Sequence, residues 1–144
     1  MSGEKNLEKL ISSMTPVLLD KEYVYGTLEE TSMSLLESLK PMGTFYEAEG
    51  LSVILAKQEA DEHHIEYQGV FRCITLNVHS SLDAVGLTAA VATKLTQLNI
   101  SANVVAAYYH DHIFVAVKDA DNALAGLIEL TKTGVSPIRV IEMK

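Results

Sequence analysis

Residues 79 to 88 read His-Ser-Ser-Leu-Asp-Ala-Val-Gly-Leu-Thr, and they bring together the side chains best suited to hold a small charged molecule. Ser80, Ser81 and Asp83 can each cap a helix start, and Gly86 lets backbone come close to a neighbour. An α-carboxylate needs several N–H donors that are already oriented. The first helical turn around Val85, Gly86 and Leu87 would supply them, together with the positive end of the helix dipole. An α-ammonium needs acceptors instead. Asp83, the Ser80 and Ser81 hydroxyls, and strand carbonyls near Asn103 and Val104 would offer these if the strand carrying 103 and 104 lies beside the one that enters the corner. This is a chemistry for a zwitterion, an amino acid above all. The competing reading is that the three polar side chains only cap their own helix while Gly86 permits close helix-to-sheet packing.

The histidines form a second grouping. His110 and His112 are two apart and share a side of an extended strand, and His79 ends a neighbouring strand. Three converging imidazoles could bind zinc, and an open fourth position would allow metal-assisted hydrolysis. Further ligands at set intervals are lacking, with only the scattered Glu129 and Glu142 following, so local hydrogen bonding is favoured and metal is the alternative. His63 and His64 sit in a charged stretch and read as solvated. Tyr108 and Tyr109 read as ordinary packing around a hairpin turn. No GxSxG, Walker, GxGxxG, CxxC or HExxH pattern occurs. Cys73 and His79 lie six apart along one strand, which at about 3.3 Å per residue is too far for a nucleophile and its base. Neither catalysis nor a cofactor is expected.

These residues need elements to position them. The chain has 144 residues, 48% of them hydrophobic, enough to bury a core as one domain or as two small ones sharing an interface. The formal net charge of −8 is spread without a basic cluster, which argues against nucleic acid or an anionic membrane surface as partner. A single cysteine, Cys73, inside an apolar strand pattern excludes an internal disulfide and suits a cytoplasmic address. The first eleven residues carry Glu4, Lys5, Glu8 and Lys9 and no apolar leader core. No stretch approaches the ~18 uninterrupted apolar residues of a membrane span.

Leu7, Leu10, Ile11 and Met14 have helical spacing, and Thr15-Pro16 ends that helix. Residues 16–19 and 23–28 read as strands around a turn at Asp20, Lys21 and Glu22, and 31–39 as a helix with Leu35, Leu36 and Leu39 inward. Residues 44–48 and 51–57 read as a hairpin about Glu49-Gly50, 58–64 as a helical turn, and 65–68 as a strand. From residue 69 the order is cleaner. A strand over 70–79 precedes a helix over 85–98 with Leu87, Ala90, Val91, Leu95 and Leu98 inward, closed by Asn99. Strands over 100–107 and 113–117 meet through a turn at residues 108–111. Asp119 or Asp121 caps a second helix, with Ala120, Ala123, Leu124, Leu127 and Ile128 on one side, and Gly134 closes it. A last strand spans 138–143. The order βαββαβ, with both helices on one face of an antiparallel sheet, is the α+β, ferredoxin-like arrangement.

The strand, the Asp83-Ala-Val-Gly86-Leu87 corner, the helix and Leu98-Asn-Ile100 together resemble an ACT domain. The strings VHSSLDAVGLTAAVATKL and ISANVVAAYYHDHIFV are similar to a small bacterial family of uncharacterised tandem ACT proteins, itself similar to the ACT pairs of aspartate kinases and CASTOR-type sensors. EGLSVIL at Glu49 to Leu55 matches that family too. The resemblance implies two ACT-like units packed side by side with antiparallel sheets: a degenerate one over 1–68, without an Asp-x-x-Gly corner, and a complete one over 69–144. It also implies a regulatory or sensor protein whose partner is a small molecule. A homodimer is expected, since such units commonly extend their sheets, and the protein partner that would receive the signal is unknown.

Overall fold

Leu7, Leu10 and Ile11 line one face of α1 (Leu7–Ser13), whose N-cap Asn6 accepts a hydrogen bond from the Lys9 N–H at 3.2 Å. The computed structural model describes residues 6–29, 34–77 and 86–134. After α1 come β1 (Thr15–Leu28), α2 (Leu36–Leu39), β2 (Gly43–Glu47), β3 (Gly50–Ala56), α3 (Lys57–Glu62) and β4 (Phe71–Asn77). Then follow α4 (Leu87–Gln97), β5 (Ala102–Ala106), β6 (Asp111–Ala116) and α5 (Ala120–Thr133), the last entered through a 3-10 turn at Val117–Asp119. The strands form one sheet in the order β2-β3-β1-β4-β6-β5, antiparallel at every step. The fold is thus α+β and ferredoxin-like, as its order of elements implies.

The strand β1 serves both halves of this sheet. Its first part pairs Thr15 with Asn77 and Leu18 with Ile74 of β4, and its second pairs Tyr23 with Ala56 and Leu28 with Leu51 of β3. The expected turn at Asp20, Lys21 and Glu22 is instead an irregularity within a continuous strand, where the register shifts between Leu18 and Glu22. All three side chains are exposed there, so a solvated bulge reads in sequence like a reversal. Residues 15–18 hold, beside β4, the place that a fourth strand takes in the βαββαβ order. The strand expected over 138–143 lies outside the described residues.

Three apolar layers follow. The helices α1, α4 and α5 cover one face of the C-terminal strands, and Leu10, Ile11, Ile74, Leu76, Val91, Leu95, Ile113 and Leu127 are buried between them. α2 and α3 cover the β1–β3 face through Val24, Leu39, Val53, Leu55 and Ala60. On the face turned away from both helical layers, Ile54, Cys73 and Phe114 are buried with Tyr23, Tyr25 and Phe71 against them. Phe114 meets Tyr23 and Tyr25 edge to face at 5.9 and 5.7 Å between ring centroids, so this inner layer joins strands from both halves.

Several local expectations need correcting. Residues 65–68 form no strand. Ile65 crosses over β1 at Gly26, where a Cβ would stand 2.8 Å from Ile65 Cγ2, and the crossing segment adds no ladder. Leu98 is 42% exposed rather than inward, because it lies past the last turn of α4, although Asn99 does take the left-handed geometry that closes a helix (φ 59°). Ile128 is 38% exposed, and Leu130, one turn beyond the buried Leu127, faces inward instead. Asp119 occupies the N-cap of α5 without making a side-chain cap hydrogen bond.

Candidate functional site

Helix α4 opens at the corner that the sequence singled out. Its N-cap is Gly86 in left-handed geometry (φ 96°), and no side chain among the described residues caps its first turn. A side chain at this position would be strained by that φ. It would also be crowded, because a Cβ would lie 3.2 Å from Leu7 Cδ2 of α1. Hence the close neighbour that Gly86 admits is α1, a contact 79 residues away in sequence that no local pattern announces. Leu87 points into the core and is 4% exposed, so its contribution to any ligand is its backbone. His79, Ser80, Ser81, Asp83 and Val85 lie outside the described residues.

Asn103 and Val104 do not lie beside the strand that enters the corner. β5 is the outermost strand, and β6 stands between it and β4. The condition on which their carbonyls were to serve as acceptors is therefore not met. The sequence carried a signal for this order: Ile113, Phe114 and Val115 are consecutive and all buried, as an interior strand with both faces covered requires. β5 instead puts the exposed Asn103 among its apolar residues, which suits an edge. Val104 packs on the helical side of the sheet. Asn103 stands opposite Phe114 in register, on the inner face. The Tyr25 hydroxyl is buried without a well-formed hydrogen bond, and its pKa is pushed up to about 12 by burial and then by the Cys73 thiol, with Asn103 pulling the other way.

The two described histidines of the HxH pair sit at the same end of the sheet as the corner. His112 Nδ1 lies 2.9 Å from the hydroxyl of Thr75 on β4, a buried partner that spacing alone could not supply. Burial, and then the neighbouring His110, hold the His112 imidazole below its ordinary range, while Asp111 opposes them. Burial raises the Asp111 carboxyl, against the pull of His112 and His110. His110 Nδ1 is buried with no hydrogen-bond partner among the described residues. Around these two histidines no set of three ligands gathers among the described residues. The one that does gather is Glu59, Glu62 and His63 on and after α3, where His63 Nδ1 also lies 3.0 Å from the Glu59 carbonyl oxygen and is half-buried rather than solvated. Cys73 is fully buried and its thiol is pushed up to about 11, chiefly by burial, which leaves it a poor nucleophile. Tyr108 and Tyr109 project from the β5–β6 turn, exposed, and pack edge to face on each other at 4.9 Å rather than across the strands.

ACT-domain family models match residues 2–72 and 69–129. The chain belongs to the ACT-domain family. It carries two ACT units in tandem, joined in one sheet through β1 and β4. A crystal structure of a protein of unknown function from Vibrio cholerae, described as a possible transport protein, is 48% identical, with a TM-score of 0.78 over 88% of this chain and 97% of that one. The tandem ACT fold is also that of the regulatory subunit of aspartate kinase from Thermus thermophilus, at 8% identity and a TM-score of 0.55 over 79% of this chain and 95% of that one. Aspartate kinase from Clostridium acetobutylicum matches at 9% identity and a TM-score of 0.60 over 81% of this chain, which spans 33% of the enzyme. No curated protein matches the sequence. Among the described residues no helix is long and apolar enough to cross a membrane.

Proposed function

We propose that this tandem ACT protein binds a small ligand, an amino acid above all, at the corner between β4 and α4, and acts as a sensor or regulatory module without catalysis of its own. The observation that carries this reading is that α4, 11 residues long, opens on a glycine rather than on a capping side chain. First-turn amides that no side chain of the described residues caps, at the positive end of a helix dipole, suit a carboxylate. Ser80, Ser81, Asp83 and the backbone of Val85, Gly86 and Leu87 are the proposed contacts, with Asp83 taking the ammonium group. Family membership supports the reading, since the regulatory subunit of aspartate kinase from Thermus thermophilus has the same fold.

Regulation would work by linkage. A ligand that fits one arrangement of α1 against the corner better than another shifts the balance between them by its difference in affinity. A homodimer in the cytoplasm, signalling to a protein partner, belongs to the same proposal. The test is a thermal-shift screen of the amino acids on the full chain, followed by calorimetric titration. One or a few amino acids should raise the melting temperature with saturation, and Asp83→Ala should abolish the shift while leaving the melting temperature of the free protein unchanged. A flat screen, or binding that survives Asp83→Ala intact, overturns the assignment. Stoichiometric zinc in the purified protein, lost with stability on chelation, would favour the histidine alternative of His79, His110 and His112 instead.

A further inference from the structure

A cavity of about 210 Å³ lies on the inner face of the sheet, where its two outermost strands approach each other. Met42, Phe45 and Ile54 wall it from the N-terminal half, and Val105, His112 and Phe114 from the C-terminal half. Among the described residues, no Asp, Glu, Lys or Arg lines it. The imidazole of His112 is oriented by Thr75 through Nδ1, and no described residue hydrogen-bonds to its other ring nitrogen. A hollow walled mainly by apolar side chains and partly open to solvent gives water few partners over Met42, Ile54 and Phe114, and an apolar guest can cover them.

We propose that this seam is a ligand site separate from the α4 corner, taking a small uncharged molecule with one aromatic ring or a short branched body and a single group that hydrogen-bonds to His112 Nε2. Size excludes larger guests, because drug-sized ligands occupy pockets of about 300–1,000 Å³. The described walls disfavour a zwitterion, since neither a carboxylate nor an ammonium meets an ionic partner among them and each would give up part of its water. Phe45 and Phe114 offer aromatic surface, and His112, with the Thr44 hydroxyl, offers polar atoms. Because the walls come from both ACT units, an occupant would be gripped by both. Ligation would therefore favour the arrangement in which β2 and β5 stand close.

Phenol and toluene share a ring and a similar size, and phenol carries a hydroxyl where toluene carries a methyl group, so they serve as probes on the isotopically labelled full chain. Chemical shifts of Phe45, Ile54, Val105 and Phe114 should move saturably with both probes, and phenol should bind about fivefold or more tightly, as one net hydrogen bond implies. His112→Asn keeps an acceptor or donor near the Nδ1 position for Thr75 and removes Nε2, so it should equalise the two probes without loss of fold. If that variant fails to fold, the phenol-to-toluene ratio on the unaltered protein still decides. Shifts that do not saturate, shifts centred on Gly86 instead of the seam, or equal affinity of the two probes for the unaltered protein would each overturn the proposal.

Discussion

The two halves of the molecule carry unequal helical cover. Over the C-terminal strands α4 and α5 run 11 and 14 residues, whereas α2 and α3 run 4 and 6 over the N-terminal ones. Helices as short as α2 are marginal by themselves and develop little dipole. The N-terminal half has also given away its opening: α1 packs into the C-terminal core, and the first part of β1 fills the slot beside β4. A duplicated fold has thus specialised, with one copy presenting a developed strand-to-helix corner and the other serving as wall and brace.

The largest effect should come from the donated helix. Leu10 is fully buried among α4, α5 and the C-terminal strands, so Leu10→Ala should cost about 2–5 kcal/mol in denaturant unfolding, in a single transition. A loss below about 1 kcal/mol would mean that α1 only rests on the surface, and the asymmetry would be lost. Next come two glycines, one in each half. Gly86→Ala places a Cβ at φ 96° and 3.2 Å from Leu7 Cδ2, and should cost about 1–2 kcal/mol. Gly43→Ala meets nothing nearer than 3.9 Å and has no positive φ, so its cost should stay within about 0.5 kcal/mol. Equal losses at the two would break the contrast between a crowded corner and an open edge.

The smallest effect is a pH slope. His112 is held below its ordinary value of 6.5 by burial and by His110, so the unfolded chain takes up this proton first. Its contribution to stability is complete above pH 6.5 and declines as pH falls from there through the depressed folded value. Asp111 acts oppositely in its own range. Burial raises it above 3.8, the folded chain holds the extra proton, and stability falls as pH rises from that value through the folded one. Unfolding measured across pH 5–7.5 should show a rise with pH of at most one proton's worth in the unaltered protein, flattened in His112→Asn. An unchanged slope in that variant would assign the titration elsewhere.

The sequence disclosed the elements whose reasons are local. β3, α4 and α5 follow from apolar spacing that repeats every two or three to four residues, and the reversal at Glu49-Gly50 follows from a residue that tolerates φ 149°. It concealed what depends on distant partners. Asp20, Lys21 and Glu22 look like a turn because solvation gives a bulge and a reversal the same polarity. Neither Leu7 against Gly86 nor Thr75 against His112 leaves a trace within any window of neighbours. The order of strands was half legible, since the unbroken apolar run of β6 demanded an interior place that the adjacency supposed for Asn103 and Val104 ignored. At the corner itself only Gly86 and Leu87 fall among the described residues; the close approach at Gly86 and the buried side chain of Leu87 were foreshadowed by residue type, whereas Gly86, expected within the first helical turn, is the left-handed cap that precedes it.

One uninterrupted backbone, from Thr15 to Leu28, is stitched to β4 at one end and to β3 at the other. There is accordingly no joint at which the molecule could be cut into self-sufficient pieces. A change that tightens one core therefore acts on a strand that the other core also holds.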